Sequence, residues 1–185
     1  RRFPFILPFG FLLSGFALLV SYLGQMNPQI TPLMPVLVSP WLSIHVSLIM
    51  MSYALLAFIM LNGILALCLR KKESENNVSG NDAIQDNRIE QLTLVSRLLL
   101  YPATFFLGAG IFLGAVWANV SWGRYWAWDP KEVWALITFL VYGVAFHSQS
   151  LRIFRKPLFF HIYMILAFLT VLMTYFGVNY VLGGM

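Results

Sequence analysis

Five of the six tryptophans in this 185-residue sequence lie in one short segment, between Trp117 and Trp134. Tryptophan and tyrosine collect at membrane surfaces because their rings are apolar and one edge is polar. Asp129, Pro130 and Glu132 also have the pattern of a helix start. They would supply an N-cap carboxylate, a proline in the first turn and an acid near the positive end of the helix dipole. An interfacial turn followed by a helix is therefore one interpretation of this segment.

A large, flat, apolar ligand is the second interpretation. It would explain why one loop holds so much indole, since aromatic belts at membrane surfaces are normally spread over several helix ends. Heme has the required shape: its faces and edge are apolar, and its propionates favour cations such as Arg124 or Lys131. The candidate contacts are Trp117, Trp122, Gly123, Arg124, Trp126, Trp128, Asp129 and Trp134. The residues alone leave both interpretations open.

Three histidines offer imidazole nitrogens, which are the usual axial ligands of heme iron. Each also has a structural interpretation: His45 as an interfacial residue, His147 as a helix-end residue and His161 as a packed side chain. For His161 the structural interpretation is favoured. The 18 residues from Asp129 to His147 correspond to about 27 Å of helix. His147 is therefore too far from the tryptophans to contact the same ligand, which indicates a second site.

The composition indicates which elements position these residues. Hydrophobic residues make up 59% of the chain and charged residues only 10%, too few to cover a soluble domain of this size. Stretches of roughly 20 apolar residues are long enough to cross a bilayer. They lie at about residues 9–24, 44–69, 100–120, 131–148 and 158–182. We expect an all-α polytopic membrane protein with a bundle of about five transmembrane helices in a single membrane domain.

Basic clusters predict the orientation of this bundle. They are Arg1 and Arg2, residues 70–72, and Arg152 with Arg155 and Lys156. All three fall on one side of the five predicted spans, which the positive-inside rule makes cytoplasmic. Residues 121–130, which we name the tryptophan loop, then lie outside with His45, facing the periplasm if the membrane is a bacterial cytoplasmic membrane. His147 and His161 lie near the inner face.

The remaining segments carry less information. Residues 73–87 are polar and predict a flexible linker, and residues 88–99 predict an amphipathic helix at the inner surface, within a cytoplasmic segment of 70–99. Cys68 is the single cysteine, which excludes an internal disulfide, and we expect it to pack inertly. The sequence has no basic stripe with interleaved aromatic residues, so we do not expect it to bind nucleic acid. The sequence starts at Arg1 and stops at Met185, so we expect a piece of a longer protein.

The WWD motif of heme-handling membrane proteins resembles the segment Trp122-Gly123-x-x-Trp126-x-Trp128-Asp129-Pro130-Lys131-Glu132-x-Trp134-Ala135. The part after Asp129 is most similar to the CcsA (ResC) family, the polytopic half of the system II cytochrome c synthetase. The resemblance extends from about Ser39 to the end of the chain. The CcmC and CcmF families have a similar loop, but they resemble this sequence less after Asp129.

The resemblance implies a cofactor, ligands and partners. The cofactor is heme b (iron protoporphyrin IX), held at the tryptophan loop with His45 as an axial ligand and a second histidine beyond Met185. His147 would ligate an inner heme together with a residue from a CcsB-type companion. The family pattern does not require His161. The protein partner would be an apocytochrome c, whose cysteine thiols add to the heme vinyl groups, in a reaction for which no catalytic residue of this chain stands out.

Two other functions remain open. A CcmC-like protein would deliver heme to a separate chaperone, and the same loop would serve that purpose. A membrane b-type cytochrome would transfer electrons through hemes held by paired histidines within the bundle, for which His147 and His161 alone lie at matching depth. Membrane lipid surrounds the chain in every case.

Overall fold

The computed structural model describes residues 10–15, 18, 39–76, 82–147 and 150–182. Within these ranges the chain is helical apart from short connections, with no strand, so the predicted all-α fold class is confirmed. The elements are α1 (Pro40–Asn76), α2 (Asp82–Trp122), α3 (Pro130–Val144) and α4 (Pro157–Leu172), which continues as a π-helical segment (Met173–Leu182). The 3-10 turns Ala145–His147 and Arg152–Arg155 join α3 to α4.

The predicted first span is described only in part. Residues 10–15 and 18 are helical, and they belong to a compact unit (Arg1–Ser39) separate from Pro40–Met185. The rest of the span predicted at residues 9–24 lies outside the described residues, as does most of residues 25–43, which follow it and are rich in proline.

Proline begins three of the helices that the structure describes. Pro40, Pro130 and Pro157 stand at the first positions of α1, α3 and α4. The fixed φ of proline suits the first turn, and its missing N–H removes a donor that would have no helical acceptor there. Pro102 lies inside α2, which continues through it to Trp122.

The helices pack into one bundle around a buried core. The most extensive contact is between α1 and α2; α4 packs against α1, and α3 packs against α2, α4 and the π-helical segment. Leu56 and Ile59 of α1, Tyr142 of α3, and Phe160 and Met164 of α4 are fully or almost fully buried in this core.

Buried polar side chains bond from helix to helix. Ser52 Oγ donates to the Ala103 carbonyl at 2.8 Å, and Asn62 Nδ2 donates to Ser96 Oγ at 3.3 Å, so both bonds join α1 to α2. Others pair Thr93 with His161, Thr138 with Thr174, and Tyr163 with the Val141 carbonyl. Lipid offers no partner to such groups, so these bonds stabilise specific helix pairs.

The outer surface of the bundle is apolar. On α2 the exposed side chains include Leu94, Leu98, Tyr101, Phe105 and Phe112, which recur at helical spacing and form a continuous stripe. A stripe of this size in water would be an association surface, whereas in a membrane protein it faces lipid.

Helices long and apolar enough to cross a membrane, by length and composition, are found at Pro40–Arg70, Asp86–Trp122 and Pro157–Tyr180 among the described residues. They contain most of the second, third and fifth predicted spans. The fourth, at 131–148, corresponds to α3 and the turn after it; α3 has only 15 residues. That span therefore stays a prediction.

The segment before the third predicted span is more regular than the sequence suggests. α2 begins at Asp82, inside the predicted linker, and runs unbroken to Trp122, so the amphipathic segment and the span are one helix. Arg97 donates to the Phe154 carbonyl at 2.8 Å, which ties this part of α2 to the turn before α4. Cys68, expected to pack, is exposed on α1.

Two leucines of α2 test this assignment of core and lipid faces. Leu107 is 0% exposed and Leu98 is 60% exposed. We predict that Leu107→Ala lowers the free energy of unfolding in detergent by about 2 kcal/mol, because it leaves a cavity. Leu98→Ala, the same change on the same helix, should alter it by less than about 0.5 kcal/mol. Thermal unfolding of both variants measures the difference, and equal losses would contradict the assignment.

Candidate functional site

A cavity of about 840 Å³ opens between α1, α2, the tryptophan loop, the start of α3 and the π-helical segment. Its volume lies in the range of sites that enclose an organic ligand. The residues that line it and that the sequence singles out are His45, Trp117, Trp122, Arg124, Trp126, Asp129 and Lys131. The fold therefore brings one histidine, three indoles and two cations to the same space.

His45 lies half-buried on the α1 side of this cavity. Its Nδ1 is 2.7 Å from the carbonyl oxygen of Gly110 on α2. A carbonyl only accepts hydrogen bonds, so Nδ1 carries the proton, and in the neutral ring Nε2 then has the free lone pair. Among the described residues nothing is hydrogen-bonded to Nε2. The ring is held in the form that can ligate a metal through Nε2.

The indoles form two edge-to-face pairs. Trp117 and Trp122 have ring centroids 6.3 Å apart at 88°, and Trp126 and Trp128 have centroids 5.9 Å apart at 83°. The indole N–H groups of Trp117 and Trp126 are buried and have no acceptor within the described ranges. A buried donor without an acceptor costs free energy, and both N–H groups are shielded from solvent, so they lie behind the open surface of the cavity.

Hydrogen bonds tie down the tryptophan loop at both ends. At its start Gly123 has φ 73° and donates its N–H to the Asn119 carbonyl at 2.9 Å, which is a left-handed cap on α2. At its end Asp129 caps α3 by accepting from the Glu132 N–H at 2.9 Å. Glu132 reaches back and accepts from the Ala127 N–H at 2.7 Å. The predicted helix start at Asp129 is thus confirmed.

Trp128 has an unusual backbone conformation, with φ 59°. A side chain other than glycine rarely adopts this left-handed region, and such residues gather at functional sites. The ring is 73% exposed and packs edge-on against Trp126. The loop therefore accepts backbone strain and holds a large apolar ring in an exposed position beside the cavity.

The charged groups of the cavity fall into two kinds. The carboxylates of Asp129 and Glu132 accept backbone N–H groups of the loop and of α3. Arg124 and Lys131 line the same cavity and form no ion pair with another described residue. The acids therefore maintain the loop, while the cations are available to an anionic group of a ligand.

Four predicted site residues lie away from the cavity lining. Gly123 acts in the cap on α2, and Trp128 packs on the outside of Trp126. Trp134 is half-buried in the first turns of α3, where its carbonyl accepts from Thr138 at 2.8 Å. His147 lies at the opposite end of α3 from the loop.

The three histidines occupy three separate environments. His147 is exposed, and its Nδ1 donates to the Gly143 carbonyl at 3.2 Å. His161 is 1% exposed and lies 2.9 Å from Thr93 Oγ1. Because that hydroxyl already donates to the Ile89 carbonyl, it accepts the Nε2–H of His161. His161 is therefore a buried side chain bonded to its neighbour, in agreement with the favoured packing interpretation.

The cavity also contains residues that the sequence reading missed. Tyr53 of α1, and Thr174, Tyr175 and Asn179 of the π-helical segment, complete its lining. π-helical turns are frequent at functional sites, but they have no reliable sequence signal. The sequence does indicate a close helix contact beside the cavity. Gly110 and Gly114 are four residues apart in an apolar helix, a spacing typical of such contacts.

This arrangement can contact a ligand in three different ways. No group of three or more histidine, cysteine, aspartate or glutamate side chains that could hold a bare metal ion occurs among the described residues. The cavity instead combines one nitrogen ligand, an aromatic wall and two cations. A flat metal complex with anionic side groups matches all three features.

Comparisons with known proteins agree on one family. The family model described as "Cytochrome C assembly protein" matches residues 2–185. Protein NrfI of Wolinella succinogenes is 39% identical over the whole of this chain, which covers 20% of that relative. The cytochrome c biogenesis protein CcsA of Chlamydomonas reinhardtii is 38% identical over 97% of this chain and 49% of its own length. CcsA of Pyropia yezoensis is 34% identical over 97% of this chain and 66% of its own length. The chain thus spans a fifth to about two thirds of these relatives.

The bond from Glu132 to Ala127 makes the rigidity of the loop testable. We predict that Glu132→Ala speeds amide exchange in a peptide covering Tyr125–Trp128 by about tenfold, because one charge-assisted hydrogen bond worth roughly 1.5 kcal/mol is lost. Glu132→Gln keeps an acceptor oxygen and should change the rate much less. Hydrogen–deuterium exchange with mass spectrometry measures it, and unchanged exchange in Glu132→Ala would mean that the bond does not hold the loop.

Proposed function

The chain belongs to the cytochrome c assembly protein family, and from this premise we propose that it binds heme b in the cavity beside the tryptophan loop and presents it to an apocytochrome c. The observation that carries the proposal is the position of His45, which lines one cavity with Trp117, Trp122 and Trp126 and whose Nε2 has no hydrogen bond to a described residue. The CcsA relatives, by name, act in cytochrome c biogenesis.

The residues present fit heme as the substrate that is handled. Nε2 of His45 is the iron ligand, and the indoles of Trp117, Trp122 and Trp126 form apolar walls for the porphyrin.

Arg124 and Lys131 select for the charge of the substrate. Both line the cavity without an ion pair to another described residue, so they are free to bind the two propionates. Arg124 follows the left-handed cap at Gly123, and Lys131 is in the first turn of α3, so the two cations approach from opposite ends of the loop. This placement fixes which edge of the porphyrin faces the loop.

The chain contributes orientation and not a reactive side chain. In the proposed reaction the cysteine thiols of the apocytochrome add across the vinyl double bonds. Each sulfur forms a bond to one vinyl carbon, its proton goes to the other, and no external oxidant is consumed. Holding the iron and the ring in one position converts these additions into steps between fixed groups, which is a large part of what a binding site can do for a rate.

The wider assembly belongs to the same proposal. The tryptophan loop and His45 face the outside of a bacterial-type cytoplasmic membrane, where the apocytochrome is met. His147, at the other end of α3, ligates a second heme near the inner face with a CcsB-type companion subunit or domain. Its exposure supports that role, since a ligand shared with a partner must be accessible. The electron-transfer alternative is less well supported because His161 is buried and bonded to Thr93.

The absorption spectrum of the purified full-length protein, reduced with dithionite, tests the proposal. We expect a low-spin heme signal that His45→Ala abolishes or converts to high spin, because the iron loses its nitrogen ligand. Trp126→Ala should lower the heme retained per protein by about tenfold, since a lost aromatic contact is worth roughly 1 kcal/mol or more.

Trp41→Ala is the matched control. Trp41 is the one tryptophan outside the cluster, and it is exposed in the first turn of α1. The proposal expects heme content and spectrum to be unchanged in this variant. Heme that survives His45→Ala and Trp126→Ala, or that is lost equally in Trp41→Ala, would contradict binding at the tryptophan loop.

A further inference from the structure

Two glycines of α2 lie against the part of α1 that carries His45. A Cβ atom at Gly114 would stand 2.7 Å from Cε1 and 2.8 Å from Nδ1 of His45. A Cβ at Gly110, one turn earlier, would stand 2.6 Å from Cδ1 of Ile49. Side chains one turn apart on α1 thus dock on glycines one turn apart on α2. The imidazole occupies a slot that exists because residue 114 has no side chain.

The slot determines how close the ring comes to the backbone of α2. In it, Nδ1 of His45 reaches the Gly110 carbonyl at 2.7 Å. That oxygen lies inside a helix, and its second lone pair can accept from the imidazole beside the helical bond. Any Cβ at residue 114 would push the ring away from this oxygen, because the atoms it meets belong to a rigid ring.

We infer that Gly114 is a positioning residue for iron ligation, acting through His45; the inference rests on the proposed function. Gly114 supplies the space, the Gly110 carbonyl holds the proton on Nδ1, and Nε2 is left as the unprotonated nitrogen that can ligate the iron. A hydrogen bond from the second nitrogen of a ligating imidazole orients the ring and makes it more basic, and loss of such a partner typically lowers metal affinity by about tenfold or more.

Close helix packing alone does not account for this arrangement. Small residues at this spacing let two membrane helices approach each other, and an aliphatic side chain such as Ile49 fills the slot at Gly110. At Gly114 the occupant is instead an imidazole of a cavity-lining residue, with Nδ1 on a carbonyl and with Nε2 3.4 Å from where the Cβ would stand. Because the lack of a side chain at Gly114 makes room for a hydrogen-bonded His45 ring, we assign Gly114 to the site.

Gly114→Ala in the purified full-length protein tests the inference, with Gly108→Ala as the matched control. Gly108 lies on the same helix, and a Cβ there would meet Phe139 of α3 at 3.0 Å, so the control also crowds a neighbouring ring. We expect Gly114→Ala to lower heme content by about tenfold. The heme that remains should have a higher reduction potential, because its ligand is less basic. Gly108→Ala should keep the wild-type content, spectrum and potential.

The outcomes separate this inference from the proposed function. If His45→Ala removes the heme signal while Gly114→Ala keeps the wild-type spectrum and potential, the positioning role is overturned and the proposed function stands. If His45→Ala leaves the heme unchanged, both are overturned. If Gly114→Ala and Gly108→Ala shift content and potential equally, Gly114 is only a packing residue and the inference fails.

A second measurement needs no variant at position 114. Nitrogen-15 spectra of heme-free, histidine-labelled protein report which ring nitrogen carries the proton, and comparison with His45→Ala identifies the signals of His45. The inference expects a proton on Nδ1 and a bare Nε2. A neutral ring protonated on Nε2 would overturn it, even if Gly114→Ala does not fold.

Discussion

Helices inside a bilayer gain little by hiding apolar surface from one another, because lipid is as apolar as they are. Close backbone contact and interhelical hydrogen bonds must hold them instead. The contact between α1 and α2 combines both: His45 and Ile49 dock on Gly114 and Gly110, and Ser52 donates to the Ala103 carbonyl. This contact between α1 and α2 forms one wall of the cavity, so the position of His45 in that wall depends on how closely the two helices approach.

The tryptophan loop forms the other wall of the cavity, and its conformation depends on a different constraint. The backbone N–H groups of the tryptophan loop need acceptors outside regular helix. Two of them are satisfied near the ends of the loop: the Gly123 N–H donates to the Asn119 carbonyl, and the Ala127 N–H donates to the Glu132 carboxylate. With its ends closed, the loop can hold Trp128 in a left-handed conformation and keep the half-buried Trp126 in the cavity lining. A site made of a rigid helix pair and a tied loop loses little entropy when a rigid flat ligand binds.

The sequence predicts one wall of this site better than the other. The clustering of tryptophans between Trp117 and Trp134 is apparent from the sequence itself. The helix cap at Asp129 is also predictable, because capping depends only on residues close by in the sequence. The wall formed by α1 and α2 depends on tertiary packing. The spacing of Gly110 and Gly114 indicates a close helix contact, but it does not show that His45 occupies the space beside Gly114. Tyr175 and Asn179 line the cavity because a π-helical segment follows α4, and no residue pattern announces it.

Two further differences have physical causes. Residues 82–87 have the polar composition predicted for a linker, yet they are the first turns of α2, a helix that Thr93 and Arg97 bond to α4 and to the turn before it. Trp134 and Gly123 belong to the recognisable motif but lie outside the cavity lining: the Trp134 carbonyl accepts from Thr138 within α3, and Gly123 caps α2. A motif therefore reports the residues that build a site together with those that contact its ligand.

An electron cryomicroscopy structure of the heme-loaded, full-length protein tests the central claim most directly. The account predicts iron bonded to Nε2 of His45, the Nδ1–H still on the Gly110 carbonyl, and the porphyrin against Trp117 and Trp126 with its propionates toward Arg124 and Lys131. Heme found elsewhere in the bundle, with the cavity beside the tryptophan loop filled by lipid or water, would contradict it.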